Sequence, residues 1–178
     1  MNARSIPRAE EPPQTAAVAL LHRLARQADN DRPQRRAAER CTRWLRMRCD
    51  EQHYALELLK VQEVVLPATL LPLRGVAPHV QGVMNLRGQI VTVIDLGVYL
   101  GRAPIVDDAS TRIVVLEEHG QSVGLRVSAV EDVAQLSEAQ IENPDSTRGC
   151  GIAGTLLRGV ARLGGKTVIL LDATSILG

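Results

Sequence analysis

The residues of this chain that could do chemistry do not combine into a catalytic or metal-binding group. Its four histidines share no metal-ligand spacing, and its three cysteines form no CxxC pair. Adjacent acidic residues in strands point to opposite faces and cannot share one substrate. The adjacent pairs are Asp107-Asp108, Glu117-Glu118 and Glu131-Asp132. We therefore expect no enzyme activity, no cofactor and no metal.

One stretch imitates a cofactor motif. Gly149–Gly154 matches the GxGxxG pattern of dinucleotide-binding loops letter for letter. That pattern needs a strand before it and a helix beginning at its end. Glu142–Arg148, which precedes it, contains Pro144 and no apolar run. The match predicts only a glycine-rich loop.

Arg87 is the residue whose position is most unusual. It is a lone cation between Leu86 and Gly88 without an acidic neighbour in sequence, so it is either an exposed turn residue or a recognition residue. The turn leads into Gln89–Ile94, an apolar run that predicts a buried strand. Asp95 closes that strand, and residues 96–100 predict one helical turn.

The stretch Gly82–Leu100 occurs a second time, without gaps, as Gly159–Leu177. Upstream of each copy, Tyr54–Val64 resembles Val123–Val133, so the body is two related β units. The pairs Gly82/Gly159, Val83/Val160, Leu86/Leu163, Gly88/Gly165, Val91/Val168, Asp95/Asp172 and Leu100/Leu177 are identical. Arg87 aligns with Gly164, so folding does not require the arginine, which favours recognition.

Asp95 and Asp172 are predicted to be structural, because a carboxylate that closes a strand can cap the helix behind it. We expect either loss to cost about 1 kcal/mol.

The order of the elements predicts a small antiparallel barrel in each unit. The elements are strands and hairpins, a proline loop over residues 66–79 and short helices. A loop with a helical turn from Ser137 is expected over residues 136–143. The composition, 45% hydrophobic with no Phe, predicts a core of Val, Leu, Ile and Ala.

Residues 1–40 are predicted to be a tail, disordered apart from an amphipathic helix near residues 15–28. That helix packs on its own domain or docks on an additional partner; membrane anchoring is weakly supported, because the helix lacks Trp and Phe. No signal peptide and no apolar run near 18 residues occur, which predicts a soluble protein of a reducing compartment with Cys49 as a core thiol.

Three motifs together resemble the CheW family, the adaptors of bacterial chemotaxis. They are KVQEV at Lys60–Val64, GVMNLRG at Gly82–Gly88 and VIDL at Val93–Leu96. The resemblance covers residues 41–178 and implies a mainly β fold with two SH3-like five-stranded antiparallel barrels and short helices. The subdomains are expected at about 41–110 and 111–178.

The resemblance implies a non-catalytic cytoplasmic adaptor that couples chemoreceptor tips to the regulatory domain of a CheA-type histidine kinase. The protein would be recruited to membrane-attached receptor arrays at the cell pole, without inserting into the membrane. The implied receptor contact is Arg87 within its motif, with Asn85 and Leu86. The implied kinase contact is Val61, Glu63 and Gly82, whereas Leu58 and Val64 could line a groove or belong to the core.

The sequence departs from the family pattern in three ways. Thr92 stands where the family usually has proline, Arg74 stands where the proline loop often carries Pro or another residue, and the tail is longer than in many members. The tail leaves room for a CheW-like paralogue that serves a type IV pilus or polar-organising system. Nucleic-acid binding is a different class of function. It is disfavoured because residues 49–178 carry ten Lys or Arg against fifteen Asp or Glu, with few aromatic residues for stacking.

Overall fold

The structure is a computed structural model that describes residues 41–143 and 152–178. The predicted tail helix and the first half of the glycine-rich motif, residues 149–151, lie outside these residues. Within them, ten strands and two short helices form. The strands are β1 Cys41–Cys49, β2 Gln52–Glu57, β3 Val61–Val65, β4 Val80–Leu86, β5 Gln89–Asp95, β6 Arg112–Glu118, β7 Gln121–Val127, β8 Ala129–Ser137, β9 Leu157–Leu163 and β10 Lys166–Leu171; the helices are α1 Leu96–Tyr99 and α2 Ala173–Leu177.

The strands build two five-stranded sheets, which confirms the predicted mainly β class. Sheet A has the order β8-β1-β2-β10-β9, and sheet B has the order β3-β6-β7-β5-β4. Neighbouring strands are antiparallel except for one parallel pair in each sheet, β10 with β2 and β5 with β7. The sequence predicted antiparallel pairing throughout, and these two parallel pairs correct that prediction.

The two sheets are built alike because each repeat supplies strands to both. The first repeat contributes β1 and β2 to sheet A and β3, β4 and β5 to sheet B. The second repeat contributes β6 and β7 to sheet B and the remaining three strands to sheet A. The division at about 41–110 and 111–178 therefore separates the repeats in sequence but not the sheets in space. The repeats exchange their first hairpins.

The largest core lies between the sheets and includes side chains from both, such as Met47 and Leu56 from sheet A and Leu116 and Leu125 from sheet B. Each sheet also covers a smaller apolar cluster of its own. Cys49 is 2% exposed in the shared core. Burial and the nearby Asp95 carboxylate raise the pKa of its thiol to about 12, so Cys49 is the core thiol that the sequence predicts.

Local elements follow the predictions with two differences. Strand β8 continues to Ser137, so Leu136 lies in a strand and not in the expected loop. The helical turn is Glu138–Gln140, and the Ser137 N–H donates to Gln140 Oε1 at 3.0 Å. Strand β5 was expected to be wholly buried, yet Ile90 is 67% exposed. None of the helices in residues 41–143 and 152–178 has the length and hydropathy to span a membrane.

Candidate functional site

The candidate site is centred on the turn between β4 and β5. Arg87 and Gly88 occupy this two-residue turn with φ values of 52° and 87°. Two consecutive positive φ values are typical of a type I′ turn, which matches the twist of a hairpin. The Asn85 side chain holds the turn, because its Oδ1 accepts a hydrogen bond from the Gly88 N–H at 2.8 Å.

The equivalent turn of the second repeat has the same backbone conformation without the arginine. Gly164 and Gly165 lie at φ values of 55° and 77°. Glycine adopts this conformation freely, whereas an L-residue such as Arg87 pays roughly 1 kcal/mol for it. Folding alone favours glycine at this position. Asp50 and His119 adopt the same backbone conformation, each with a φ of 53°, in other hairpin turns. The conformation therefore does not mark recognition by itself, and the contrast with Gly164 shows only that folding does not require the arginine.

Arg87 is anchored to the opposite edge strand of sheet B. Its Nη2 lies 2.9 Å from Glu63 Oε2, and its side chain remains 80% exposed while that of Glu63 is 19% exposed. Arg87 has no acidic neighbour along the chain, so no local pattern predicted this ion pair. Glu63 is distant in sequence but adjacent in the fold. The ion pair holds the arginine at the surface, and most of the guanidinium stays accessible to a partner.

The other residues of the expected receptor contact have local roles that present Arg87. Asn85 is exposed and accepts the turn hydrogen bond. Leu86 is half-buried and packs on the sheet B cluster that contains Met84 and Val91. The NLRG segment thus combines an amide that holds the turn, an apolar anchor and an exposed cation.

The expected kinase contact is spread over the two terminal strands of sheet B. Val61 and Glu63 lie on β3, whereas Gly82 lies on β4. Val61 is half-buried against the shared core, as is Leu58, while Val64 is 40% exposed. The Arg87–Glu63 contact joins the expected receptor and kinase surfaces directly.

Gly82 is buried because another backbone segment lies against it. A Cβ at this position would lie 2.4 Å from the Leu71 carbonyl oxygen, and the φ value is 146°. Leu71 and Val83 exchange two backbone hydrogen bonds, at 2.8 and 2.9 Å, which lay the proline loop along the edge of β4. Glu142 and Val160 form the equivalent bridge in the second repeat. Gly82 thus has a structural role, because it lets the proline loop approach β4 closely. The expected kinase contact at Gly82 stays a prediction.

Gly82→Ala should therefore destabilise the protein by about 3 kcal/mol, since positive-φ strain adds to a clash with backbone. Gly88→Ala is the matched control: its φ is also positive, but nothing lies within 4 Å of the added Cβ. The control should cost only about 1 kcal/mol. Urea unfolding followed by circular dichroism measures both. Equal losses for the two variants would contradict the proposed close approach.

Lys60 and Glu118 form an ion pair beside β3, where the KVQE motif begins. Their hydrogen bond is the main reason that the pKa of Lys60 is raised and that of Glu118 is lowered. Both groups stay charged near neutral pH. The pair attaches the start of β3 to the end of β6.

Asp95 and Asp172 both cap helices, but their surroundings differ. Asp95 is fully buried and accepts from Val98 N at 3.1 Å, Ile105 N at 2.9 Å and the Gln81 side chain at 3.2 Å. Asp172 is half-buried and accepts from two backbone N–H groups of α2. The first carboxylate thus also fixes the loop behind α1.

The adjacent acidic pair on β8 shares one arginine partner. Arg46 reaches Glu131 at 3.0 Å and Asp132 at 3.3 Å, and His53 Nδ1 lies 3.1 Å from Glu131. A register shift between β1 and β8 sets both acids opposite Arg46, so they contact one guanidinium although neighbours in a regular strand point to opposite faces. Across residues 41–143 and 152–178, no three His, Cys, Asp or Glu side chains are grouped to hold a metal ion.

Two exposed apolar residues beside Arg87 were missed by sequence reasoning. Ile90 on β5 and Leu71 in the proline loop are each 67% exposed. One signal for the exposure of Ile90 was available in the sequence. Thr92 is polar and lies two residues later, and residues two apart in a strand point to the same face. The second repeat gave a further signal, because Thr167 stands where Ile90 does in the first.

The comparisons with known proteins agree with this geometry. The family described as CheW-like domain matches residues 43–178. The chemotaxis protein CheW of Klebsiella aerogenes is 32% identical over 126 residues, covering 71% of this chain and 75% of that protein. The CheW protein of Thermotoga maritima is 28% identical over 128 residues, covering 72% and 82%.

A solved structure shares the fold. The crystal structure of the scaffolding protein TtCheW from Thermoanaerobacter tengcongensis superposes with a TM-score of 0.69 at 28% identity, covering 75% of this chain and 86% of that chain. Residues 43–178, which the CheW-like domain family matches, include nearly all of both sheets and the hairpin that presents Arg87. This chain belongs to the CheW family.

Proposed function

We propose that this protein is a non-catalytic cytoplasmic adaptor that couples chemoreceptor tips to a CheA-type histidine kinase in membrane-attached arrays. The observation that carries the proposal is Arg87, an exposed cation kept in a left-handed turn where the second repeat has glycine. Because the second repeat builds the same turn from two glycines, the fold does not require a cation here. Family membership supplies the signalling context.

Coupling requires two contacts on one rigid body. The Arg87 turn provides the receptor contact, and β3 with Glu63 provides the kinase contact. The ion pair between Arg87 and Glu63, at 2.9 Å, supports the proposal, because it joins the two residues to which the contacts are assigned. A receptor carboxylate that engages Arg87 would compete with Glu63 for the same guanidinium, so receptor binding can alter the kinase-facing strand.

The test is a reconstitution with receptor-bearing membranes, a CheA-type kinase and this protein. The protein should bring the kinase into the membrane pellet, and autophosphorylation should respond to receptor ligand only when all three components are present. The control replaces this protein with an equal concentration of an unrelated β protein. Failure to recruit the kinase, with each component shown to be folded, would contradict the proposed coupling.

A further inference from the structure

An open cavity of about 980 Å³ lies between the β1–β2 turn and the loop that follows α1. Residues 48–52 line one side of it, and residues 101–106 line the other. Cys49 and Ile105 are the buried side chains of this lining, so the inner end of the cavity is apolar. The volume lies in the range of small-molecule sites, about 300 to 1,000 Å³. None of the residues assigned above to the receptor and kinase contacts lines this cavity.

The cavity lies where the first repeat has smaller side chains than the second. Cys49 ends β1 as Glu118 ends β6, and Gly97 is the second residue of α1 as Thr174 is of α2. In the second repeat, Glu118 pairs with Lys60 and lies near the Thr174 side chain. A thiol and a glycine cannot make the equivalent polar contact. The first repeat therefore leaves space between its hairpin end and the loop behind α1.

Both walls of the cavity are fixed by hydrogen bonds. On the hairpin side, the Asp50 N–H donates to Ser128 Oγ at 2.9 Å. On the loop side, the Ile105 N–H donates to the buried Asp95 carboxylate at 2.9 Å. A cavity with fixed walls is formed before a ligand arrives, so binding does not have to order the protein.

Charges of both signs line the cavity without partners of their own. Arg48 and Arg102 have no side-chain hydrogen bond or ion pair within residues 41–143 and 152–178. In the same part of the chain, the exposed carboxylates of Asp50 and Glu51 have no cationic partner. The Asp108 carboxylate, by contrast, accepts two backbone N–H groups of its own loop. Two cations and two carboxylates thus remain available to a ligand.

We propose that this cavity binds a small zwitterion, namely a short peptide with free termini. Arg48 and Arg102 bind its carboxylate through charge-assisted hydrogen bonds. Asp50 and Glu51 bind its ammonium group, and the apolar inner end contacts the body of the peptide. A ligand with charge of one sign would meet like charges in the lining and is disfavoured. This binding site goes beyond the adaptor function and does not depend on it.

The test is isothermal titration calorimetry of the full chain with tetra-alanine, which carries one charge at each end and no charged side chain. The N-acetylated peptide keeps only the carboxylate, and the C-terminal amide keeps only the ammonium group. Each capped peptide should bind about tenfold more weakly than the free one, because it lacks one charge-assisted contact.

Two double variants assign the two ends of the peptide. Arg48→Gln with Arg102→Gln should weaken the free peptide at least as much as amidation does and leave the amide unaffected. Asp50→Asn with Glu51→Gln should do the same for the free peptide and leave the acetylated form unaffected. Arg43→Gln is the matched control, since Arg43 is exposed on β1 but does not line the cavity. It should bind all three peptides as the wild type does.

Three results would overturn the proposal. The first is no heat of binding from folded wild-type protein at millimolar tetra-alanine. The second is equal affinity for the free and the acetylated peptide, which shows a simple anion site. The third is unchanged affinity in both double variants, with circular dichroism showing that they are folded. The adaptor function stands in each case, because the cavity shares no residue with the Arg87 turn or β3.

Discussion

Replacing Arg87 with glutamate should abolish receptor association while the fold remains intact. The substitution removes the cation, adds repulsion towards an acidic partner segment and sets a second carboxylate beside Glu63. The lost ion pair is largely exposed on the arginine side and contributes at most about 1 kcal/mol. Pull-down with receptor-bearing membranes measures the association, and thermal unfolding followed by circular dichroism measures the fold. Undiminished receptor binding by a folded variant would refute the assignment.

Arg87→Gly tests the same contact without adding a negative charge. It installs the residue that the second repeat already uses at φ 55°, so it relieves the strain of the left-handed arginine. We expect a melting temperature at or slightly above that of the wild type, together with loss of receptor binding. A variant that gains stability and loses its partner separates recognition from folding. A marked loss of stability would mean that the Glu63 ion pair matters more than the strain.

Asp95→Ala should lower the free energy of unfolding by about 3 kcal/mol, well beyond an ordinary cap. The substitution leaves Val98 N–H, Ile105 N–H and the Gln81 amide without their acceptor, and the carboxylate is fully buried. Each buried donor without a partner costs on the order of 1 kcal/mol or more. Urea unfolding, compared at constant m-value, gives the difference.

Asp172→Ala is the natural control for that experiment, because both aspartates cap a short helix at equivalent positions of the repeats. The half-buried Asp172 accepts from Thr174 and Ser175 alone, so its loss should cost about 1 kcal/mol. Equal losses would show that the buried network around Asp95 adds nothing. A fully stable Asp95→Ala that fails to bind a partner would move Asp95 into the recognition site.

Local signals in the sequence predicted most of the elements and the Arg87 turn. The apolar run Gln89–Ile94 located β5, and the glycine at position 88 marked the hairpin turn. The aligned aspartates predicted both helix caps. These features depend on residues a few positions apart, so a single sequence contains them.

Long-range features could not be read in the same way. The ion pair of Arg87 with Glu63 depends on how the ends of sheet B approach each other, and no local pattern encodes it. The exchange of hairpins was hidden because a duplicated sequence is equally compatible with two separate barrels. The exposure of Ile90 was missed because an apolar run looks alike whether one or both faces are covered.

The exchanged hairpins impose an order on synthesis. Sheet B is complete once Val127 has been made, whereas sheet A holds strands from both ends of residues 41–171. Hairpin β1–β2 must therefore wait while roughly 70 residues are added, which takes several seconds at ribosomal rates of about 5 to 20 residues per second. During that interval the apolar side chains of Met47 and Leu56 lack their sheet B partners in the shared core, such as Leu116 and Leu125. We therefore expect the nascent chain to pass through a half-built state, in which the completed sheet B covers the apolar face of hairpin β1–β2 before β8, β9 and β10 have been made.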